Sequence, residues 1–279
     1  MARSIRLALV DMDGTLLGKD QVRISPRNLA ALDAMHDKGI EIVPCTGRVV
    51  DMNPPQLLAL PYIRYFVSCH GARVYDWREG RTLYEDVIPA EAAPGVLRAI
   101  EGQGLYAEVA ANHTIYIEQA LAEALDAAPV PAHHVWYMRD QRRYTAVPSL
   151  SRHFKEHCLG IEKVNIYGIP ESAQQRVFDA VTATGAIRHT RGAAARDLEF
   201  SSKTLDKSKA LAALMRELRI PYEETFAIGD SSTDYDAIRM AGIGVAMGNA
   251  PAPIQAVADA VTAPNTEDGF AQAVERFLL

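Results

Sequence analysis

The sequence predicts an α/β protein, a Rossmann-like parallel sheet with helices on both faces, interrupted by an inserted α+β domain. Two observations carry this expectation. Short, continuously apolar runs alternate with helical segments at both ends of the chain, as expected of parallel strands buried on both faces. Between them the pattern changes to strands of alternating polarity interleaved with helices. With 279 residues, 48% of them hydrophobic, the chain can bury a core large enough for two domains. The sequence assigns residues 1–84 and 191–279 to the core and 85–190 to the insertion.

Ile5 to Val10 is an uninterrupted apolar run and opens the sheet. A helix follows. Ser25 can accept from the free amides of its first turn, Pro26 fits the first helical position, and Gly39 suits a left-handed terminus. Ile40–Pro44 reads as a second strand, Val50 to Ala59 as a helix, and Tyr65–Cys69 as a third strand, completing a βαβαβ pattern. The alternation returns with helix Lys207–Leu218, strand Thr225–Ile228, helix Asp234–Met240 and strand Ile243–Ala246. Within the insertion, Thr114–Glu118 and Lys163–Gly168 read as strands, Pro89–Glu101 and Glu171–Thr184 as helices, and the prolyl and alanyl stretch Ala127–Ala132 as a loop. Hinges are expected near Leu83–Val87 and Thr190–Ala194.

A formal charge of −6 provides no basic field for a nucleic acid. No run approaches the roughly 18 apolar residues of a membrane span, and the N-terminus lacks a small-residue cleavage site. The three cysteines, Cys45, Cys69 and Cys158, have no CxxC spacing and are expected as buried free thiols in a reducing compartment. The expectation is a cytoplasmic protein with no membrane and no obligate protein partner. His133, His134, Trp136, Arg142, Arg143 and Tyr144 form a polar and aromatic cluster in the insertion, read as a solvated edge or as a reader of a ligand. The paired histidines lack a partner at zinc-binding spacing.

In an open parallel sheet, ligands sit beyond the carboxyl ends of the strands, so the residues after each strand belong together. Those segments are Asp11-Met12-Asp13-Gly14-Thr15, Thr46-Gly47-Arg48 and Gly229-Asp230-Ser231-Ser232-Thr233-Asp234, with Lys207 opening a late helix. Asp11, Asp13 and Asp230 in one crevice would repel one another unless a cation joined them. Oxygen-only ligands with room for waters and a phosphate favour Mg2+ over zinc or calcium. In this chemistry Asp11 is the in-line nucleophile, forming an acyl phosphate. Asp13 protonates the leaving oxygen and later takes a proton from water. Thr46, with the adjacent amides including that of Gly47, holds phosphate oxygens, and Lys207 neutralises the dianion. Asp230 holds the metal and Asp234 orients Lys207 or a metal-bound water. Arg48 is a candidate substrate contact or else a surface or structural ion pair, and Asn249 a loop-shaping or substrate-side polar group.

Together, DMDGTLL, CTGR, the Lys207–Leu211 segment, GDSSTD, AMGNAP and EDGF resemble, in that order, the haloacid dehalogenase (HAD) superfamily, and within it the Cof-type sugar-phosphatase-like branch. The resemblance implies a Rossmann-like core with a C2-type cap that sets substrate specificity, Mg2+ dependence, and hydrolysis of a small phosphorylated metabolite such as a sugar phosphate. It also implies that the backbone carbonyl of Asp13 joins the metal ligands. Three positions depart from the branch's usual pattern: Thr233 for Asn, Ser208 for Gly, and His70 for Asn. A hydroxyl at Thr233 cannot serve as the two-ended bridge an amide provides. A phosphomutase using the same nucleophile and a non-catalytic phosphometabolite-binding protein are the alternatives. Asp13 supplies the acid and base that dephosphorylation needs, and both aspartates are present, which counts against the second.

Overall fold

The computed structural model describes residues 4–191 and 196–279. The chain forms two compact units, one of Met1–Arg48, Asn53–Glu85 and Asp206–Leu279, the other of Val49–Met52 and Asp86–Leu205. Strands are numbered along the whole chain.

The first unit is built on β1 (Leu7–Val10), β2 (Glu41–Pro44), β12 (Thr225–Gly229), β13 (Ile243–Ala246) and β14 (Ala260–Val261). These lie in the order β14-β13-β12-β1-β2, every pair parallel. Every residue of β1 and β12 is buried, which explains their continuous apolar runs. The strand order reverses direction at β1, so its carboxyl end is the switch point where such sheets open a crevice.

Two helices have both ends set by local bonds. Helix Pro26–Asp37 starts where Ser25 Oγ accepts from the Asn28 amide (3.1 Å), and the chain turns away at Gly39, φ 76°. Helix Lys207–Leu218 starts where the Asp206 carboxylate accepts from the Ser208 amide (2.9 Å), and stops at left-handed Arg219. Its buried Ala210, Leu211, Leu214 and Met215 share a core with Leu7, Leu9 and Val43. Burial of each leucine contributes about 1.5–3 kcal/mol, and the packing fixes where the helix N-terminus, and hence Lys207, falls.

Other parts of this unit differ from expectation. The helix expected over Val50–Ala59 is broken into a 3-10 turn, Val50–Met52, and a short helix, Pro55–Leu58. Pro54 and Pro55 cause the break: a proline is accommodated at a helix start but not within one. The third strand, β3 (Tyr65–Ser68), meets the parallel sheet, among the described residues, through an isolated parallel bridge between Cys45 and Val67. It instead begins an antiparallel meander with β4 (Arg73–Asp76) and β5 (Arg81–Glu85). Cys69, His70 and Gly71 all have positive φ (47°, 57° and 95°) and reverse the chain at once, too abruptly for a crossover helix.

The second unit holds β6 (Tyr106–Ala111), β7 (Thr114–Glu118), β8 (Thr145–Val147), β9 (Lys163–Tyr167), β10 (Ile187–Arg191) and β11 (Leu198–Ser202), ordered β10-β11-β9-β6-β7-β8. Helices Ala93–Arg98, Leu150–Glu156 and Glu171–Thr182 cover one face through Val96, Leu97, Val109, Phe154, Val164 and Val177. The chain returns to the first unit at Asp206, later than the boundary at residue 191 read from the sequence. The cause is β11, which pairs with β9 and β10 and so belongs to this sheet. The segment Val49–Met52 also groups here, with the Asp51 amide donating to His113 O (3.1 Å), an excursion that no sequence signal marked. Of the two expected hinges, Leu83–Val87 spans the boundary at Glu85, whereas residues 192–194 of the other lie outside the described residues.

In the polar cluster of this unit, His134 Nε2 lies 2.7 Å from the carboxylate of fully buried Glu108, which also accepts from Tyr106 Oη (2.9 Å). Arg142 and Tyr144 line an open pocket of about 410 Å³ with Glu123, Asp126 and Arg139. All three cysteines are free. Cys45 and Cys69 are buried, but Cys158, expected to be buried with them, is exposed. It lies beyond the end of helix Leu150–Glu156 at φ 51°, in a turn rather than a strand. Among the described residues no helix is long and apolar enough to cross a membrane.

Candidate active site

Asp11 follows the last residue of β1, its amide donating to Ile228 O of the neighbouring β12 (3.0 Å). The chain then makes one wide turn, closed by the Leu16 amide on Asp11 O (3.3 Å) and the Leu17 amide on Met12 O (2.9 Å). Gly14 permits this turn. Its φ is 80°, and a Cβ there would fall on the Asp230 carboxylate. The turn therefore needs glycine twice over, for its left-handed backbone and for the close approach of an acidic side chain. Asp11 itself is only 8% exposed.

Opposite Asp11 stand two carboxylates from the loop after β12. Asp11, Asp230 and Asp234 each offer an oxygen within 4.8 Å of the others. Burial, then the charge of Asp234, holds the Asp11 carboxyl well above the ordinary carboxylate range, against the opposing pull of Lys207. The same two causes push Asp230 up to about 6. Lys207 Nζ donates to Asp234 Oδ1 (2.9 Å). Burial lowers the affinity of this ammonium for its proton, but Asp234, with Cys45 and Asp11, outweighs it and the net shift is upward. Lys207 thus stays cationic beside Asp11 although its side chain is only 11% exposed.

The oxygens of these carboxylates are not equally committed. Asp234 Oδ1 is taken by Lys207, and its Oδ2 accepts from the Ser231 amide (3.1 Å) and from Ser231 Oγ (2.9 Å). Asp230 Oδ2 accepts from Asn249 Nδ2 (3.1 Å), whereas Asp230 Oδ1 is buried with no donor in hydrogen-bonding geometry, the nearby Thr15 hydroxyl included. A buried carboxylate oxygen without a donor is costly. With Asp11 beside it, this oxygen suits a hard, oxygen-seeking cation, so the residues fit the metal that the sequence implies. Asp11 and Asp230 are placed to hold it. Both oxygens of Asp234 are already engaged, one of them by Lys207.

Thr46 and Gly47 come from the loop after β2. Thr46 is 1% exposed, and its Oγ1 accepts from the Arg48 amide (3.1 Å), leaving the hydroxyl proton to be donated elsewhere. The loop is tied to the left-handed turn after β3: the His70 amide donates to Thr46 O (3.1 Å) and the Cys69 amide to Arg48 O (3.0 Å). A Cβ at Gly47 would collide with the His70 imidazole, so this glycine makes room for a side chain that departs from the usual pattern.

Arg48 is engaged within the site. Its Nε donates to Asp13 Oδ2 (2.7 Å), its Nη2 to Asp13 Oδ1, and that same Nη2 to Gln21 O (2.8 Å). Such a two-pronged pair is directional, and it engages both oxygens of the Asp13 carboxylate. Sequence reasoning brought Asp11, Asp230, Asp234 and Lys207 together, and the structure does the same. An ion pair was one role open to Arg48 and a loop-shaping bond one open to Asn249, but their partners, Asp13 and Asp230, and the packing of His70 on Gly47 were not foreseen. For His70 the departure from the family pattern was a signal; for the other two, no sequence spacing reports a contact across loops.

Fold and site together define a Rossmann-like enzyme that works from the carboxyl edge of its sheet. Residues 8–274 match the model of the haloacid dehalogenase-like hydrolases; the chain belongs to that family and is a phosphatase of it. It is 32% identical over 299 residues to the phosphatase YwpJ of Bacillus subtilis, covering 98% of this chain and 100% of that protein. Among solved structures it is similar to a haloacid dehalogenase-like hydrolase from Bacteroides thetaiotaomicron, at 26% identity and a TM-score of 0.81, over 98% of this chain and 99% of the other. It is also similar to a sugar phosphatase of HAD subclass IIB, at 25% identity and a TM-score of 0.71, over 98% of each chain.

Proposed function

We propose that this phosphatase is Mg2+-dependent and hydrolyses a small phosphorylated metabolite, of the sugar phosphate class, through an aspartyl-phosphate on Asp11. The observation that carries the proposal is the pairing of the buried Asp11 carboxylate with an engaged, cationic Lys207 and with the unbonded oxygen of Asp230. Asp11, Asp230 and the carbonyl of Asp13 would hold Mg2+, which would supply positive charge to offset both the carboxylates and the phosphate dianion.

The chain's own residues do the rest. Thr46 Oγ1 and Lys207 Nζ bind phosphate oxygens, and Asp234 keeps the ammonium in place. An Asp11 oxygen attacks phosphorus in line as the bond to the leaving oxygen breaks. Asp13 gives that oxygen a proton, then takes one from the water that attacks the phosphoryl group, releasing phosphate and free Asp11. Asp13 can do this only when its carboxylate is not shared with Arg48. A phosphate dianion is the natural competitor for that guanidinium, so substrate binding itself would release the acid. The sugar-phosphate class is supported by the HAD subclass IIB sugar phosphatase to which the chain is similar, and the second unit would serve as the specificity cap.

The test is phosphate release from a panel of sugar phosphates, nucleotides and an aryl phosphate, with Mg2+ and with chelator, for the native protein and Asp11→Asn. Turnover is expected only with both Mg2+ and Asp11. Equal turnover in chelator, or by Asp11→Asn, would refute the mechanism.

A further inference from the structure

Asn249 lies exposed in the turn after β13, where the Met247 amide donates to Gly229 O (3.0 Å) and the Ala250 amide to Met247 O (3.0 Å). Its side chain nevertheless reaches the acidic cluster. Nδ2 donates to Asp230 Oδ2 (3.1 Å) and to Gly14 O (2.9 Å), which spends both of its protons. The Oδ1 of Asn249 accepts from the Asn265 amide (3.0 Å), and Asn265 Nδ2 donates in turn to Leu17 O (2.8 Å). One amide therefore joins the metal-side carboxylate to the turn that carries Asp11, and is itself held by the C-terminal loop.

We propose that Asn249 is a positioning residue for the cation site, rather than a contact for substrate. The two oxygens of Asp230 are chemically alike, and without a donor the carboxylate could turn either edge into the cluster. The Asn249 amide caps one oxygen and so fixes the carboxylate plane, leaving the other, buried and without a donor, for a cation held between Asp230 and Asp11. Its second bond, to Gly14 O, pins the left-handed residue against which Asp230 packs. Carboxylates that bind metals are commonly held by such partners, and losing one typically weakens metal affinity 10–100-fold. The inference rests on the reading of Asp230 as a cation ligand.

The experiment is calorimetric titration of Mg2+ into the full-length, metal-free protein, with Asn249→Ala, Asn249→Ser and Asp230→Asn alongside the native chain. Asn249 is exposed and buries little, so both substitutions are expected to leave the melting temperature in chelator close to native. The dissociation constant for Mg2+ should rise about 10–100-fold in both Asn249 variants, and turnover should recover toward the native value as Mg2+ is raised. Asn249 variants that bind Mg2+ within twofold of native, while Asp230→Asn has lost it, would overturn the positioning role alone. Native-like binding by Asp230→Asn would overturn the cation reading of that aspartate, on which the role depends.

Discussion

Replacing Asp11 by Asn should abolish turnover and, in the absence of metal, make the protein more stable. The carboxylate is 8% exposed and lies in a group whose oxygens are within 4.8 Å of one another. At an effective dielectric of about 20, two carboxylates at that separation repel by about 3 kcal/mol. Lys207 and Asp234 form an ion pair, as do Asp13 and Arg48, and each pair largely cancels, so the uncompensated repulsion is that from Asp230. Allowing about 1 kcal/mol for the imperfectly bonded amide that Asn introduces, the gain is about 2 kcal/mol, or roughly 4–8 °C in Tm for a unit of this size.

The pH dependence follows from sign. In the folded protein the Asp11 carboxyl is held above its ordinary value of 3.8, so the native state keeps this proton longer than the unfolded chain. Native stability must then fall as pH rises from the ordinary value through the raised one. Below that window both states are protonated and the advantage of Asn disappears. Thermal melts of the two proteins in chelator at pH 8 and near pH 4, repeated with excess Mg2+, provide the assay. The variant should melt higher at pH 8 in chelator, lose its lead near pH 4, and fall behind when Mg2+ is added, because only the native site gains binding energy. A variant less stable than native at pH 8 in chelator would refute the reasoning.

Two further outcomes follow from the same geometry. Gly14→Ala adds a methyl group at φ 80° on top of the Asp230 carboxylate, and should lower stability by about 1–3 kcal/mol in denaturant titrations and reduce kcat as the acidic cluster shifts. Arg48→Ala frees Asp13 but removes the guanidinium that the substrate phosphate would draw away; KM should rise about 10–100-fold on alkyl and aryl phosphates alike with kcat little changed, and a fall in kcat confined to alkyl phosphates, which need a protonated leaving oxygen, would mean that Asp13 needs Arg48 to act.

Much of the fold was legible because the relevant signals are local. The run ending in Val10 reads as a buried strand by its own composition, and Ser25, Pro26 and Gly39 mark the ends of a helix through bonds made to their near neighbours. The boundaries of Lys207–Leu218 and Ile243–Ala246 match the sequence reading for the same reason. The site was legible as far as the rule that strands of a parallel sheet gather their carboxyl ends, which brings Asp11, Asp230 and Lys207 together from three distant segments.

What sequence could not supply is pairing. Whether Tyr65–Ser68 extends the parallel sheet or starts a meander depends on hydrogen bonds to Arg73–Asp76 and Arg81–Glu85 that leave no mark in its apolar run. Leu198–Ser202 joins the second unit because its edge meets β9, a partner more than thirty positions away in the chain. The same holds inside the site. A sequence states that Arg48 and Asn249 can donate hydrogen bonds, but the acceptor is whichever oxygen the folded loops bring within about 3 Å. Here the acceptors are Asp13 and Asp230, and that selection belongs to the tertiary structure, because a hydrogen bond is chosen by distance and direction, and neither is encoded in the order of residues along the chain.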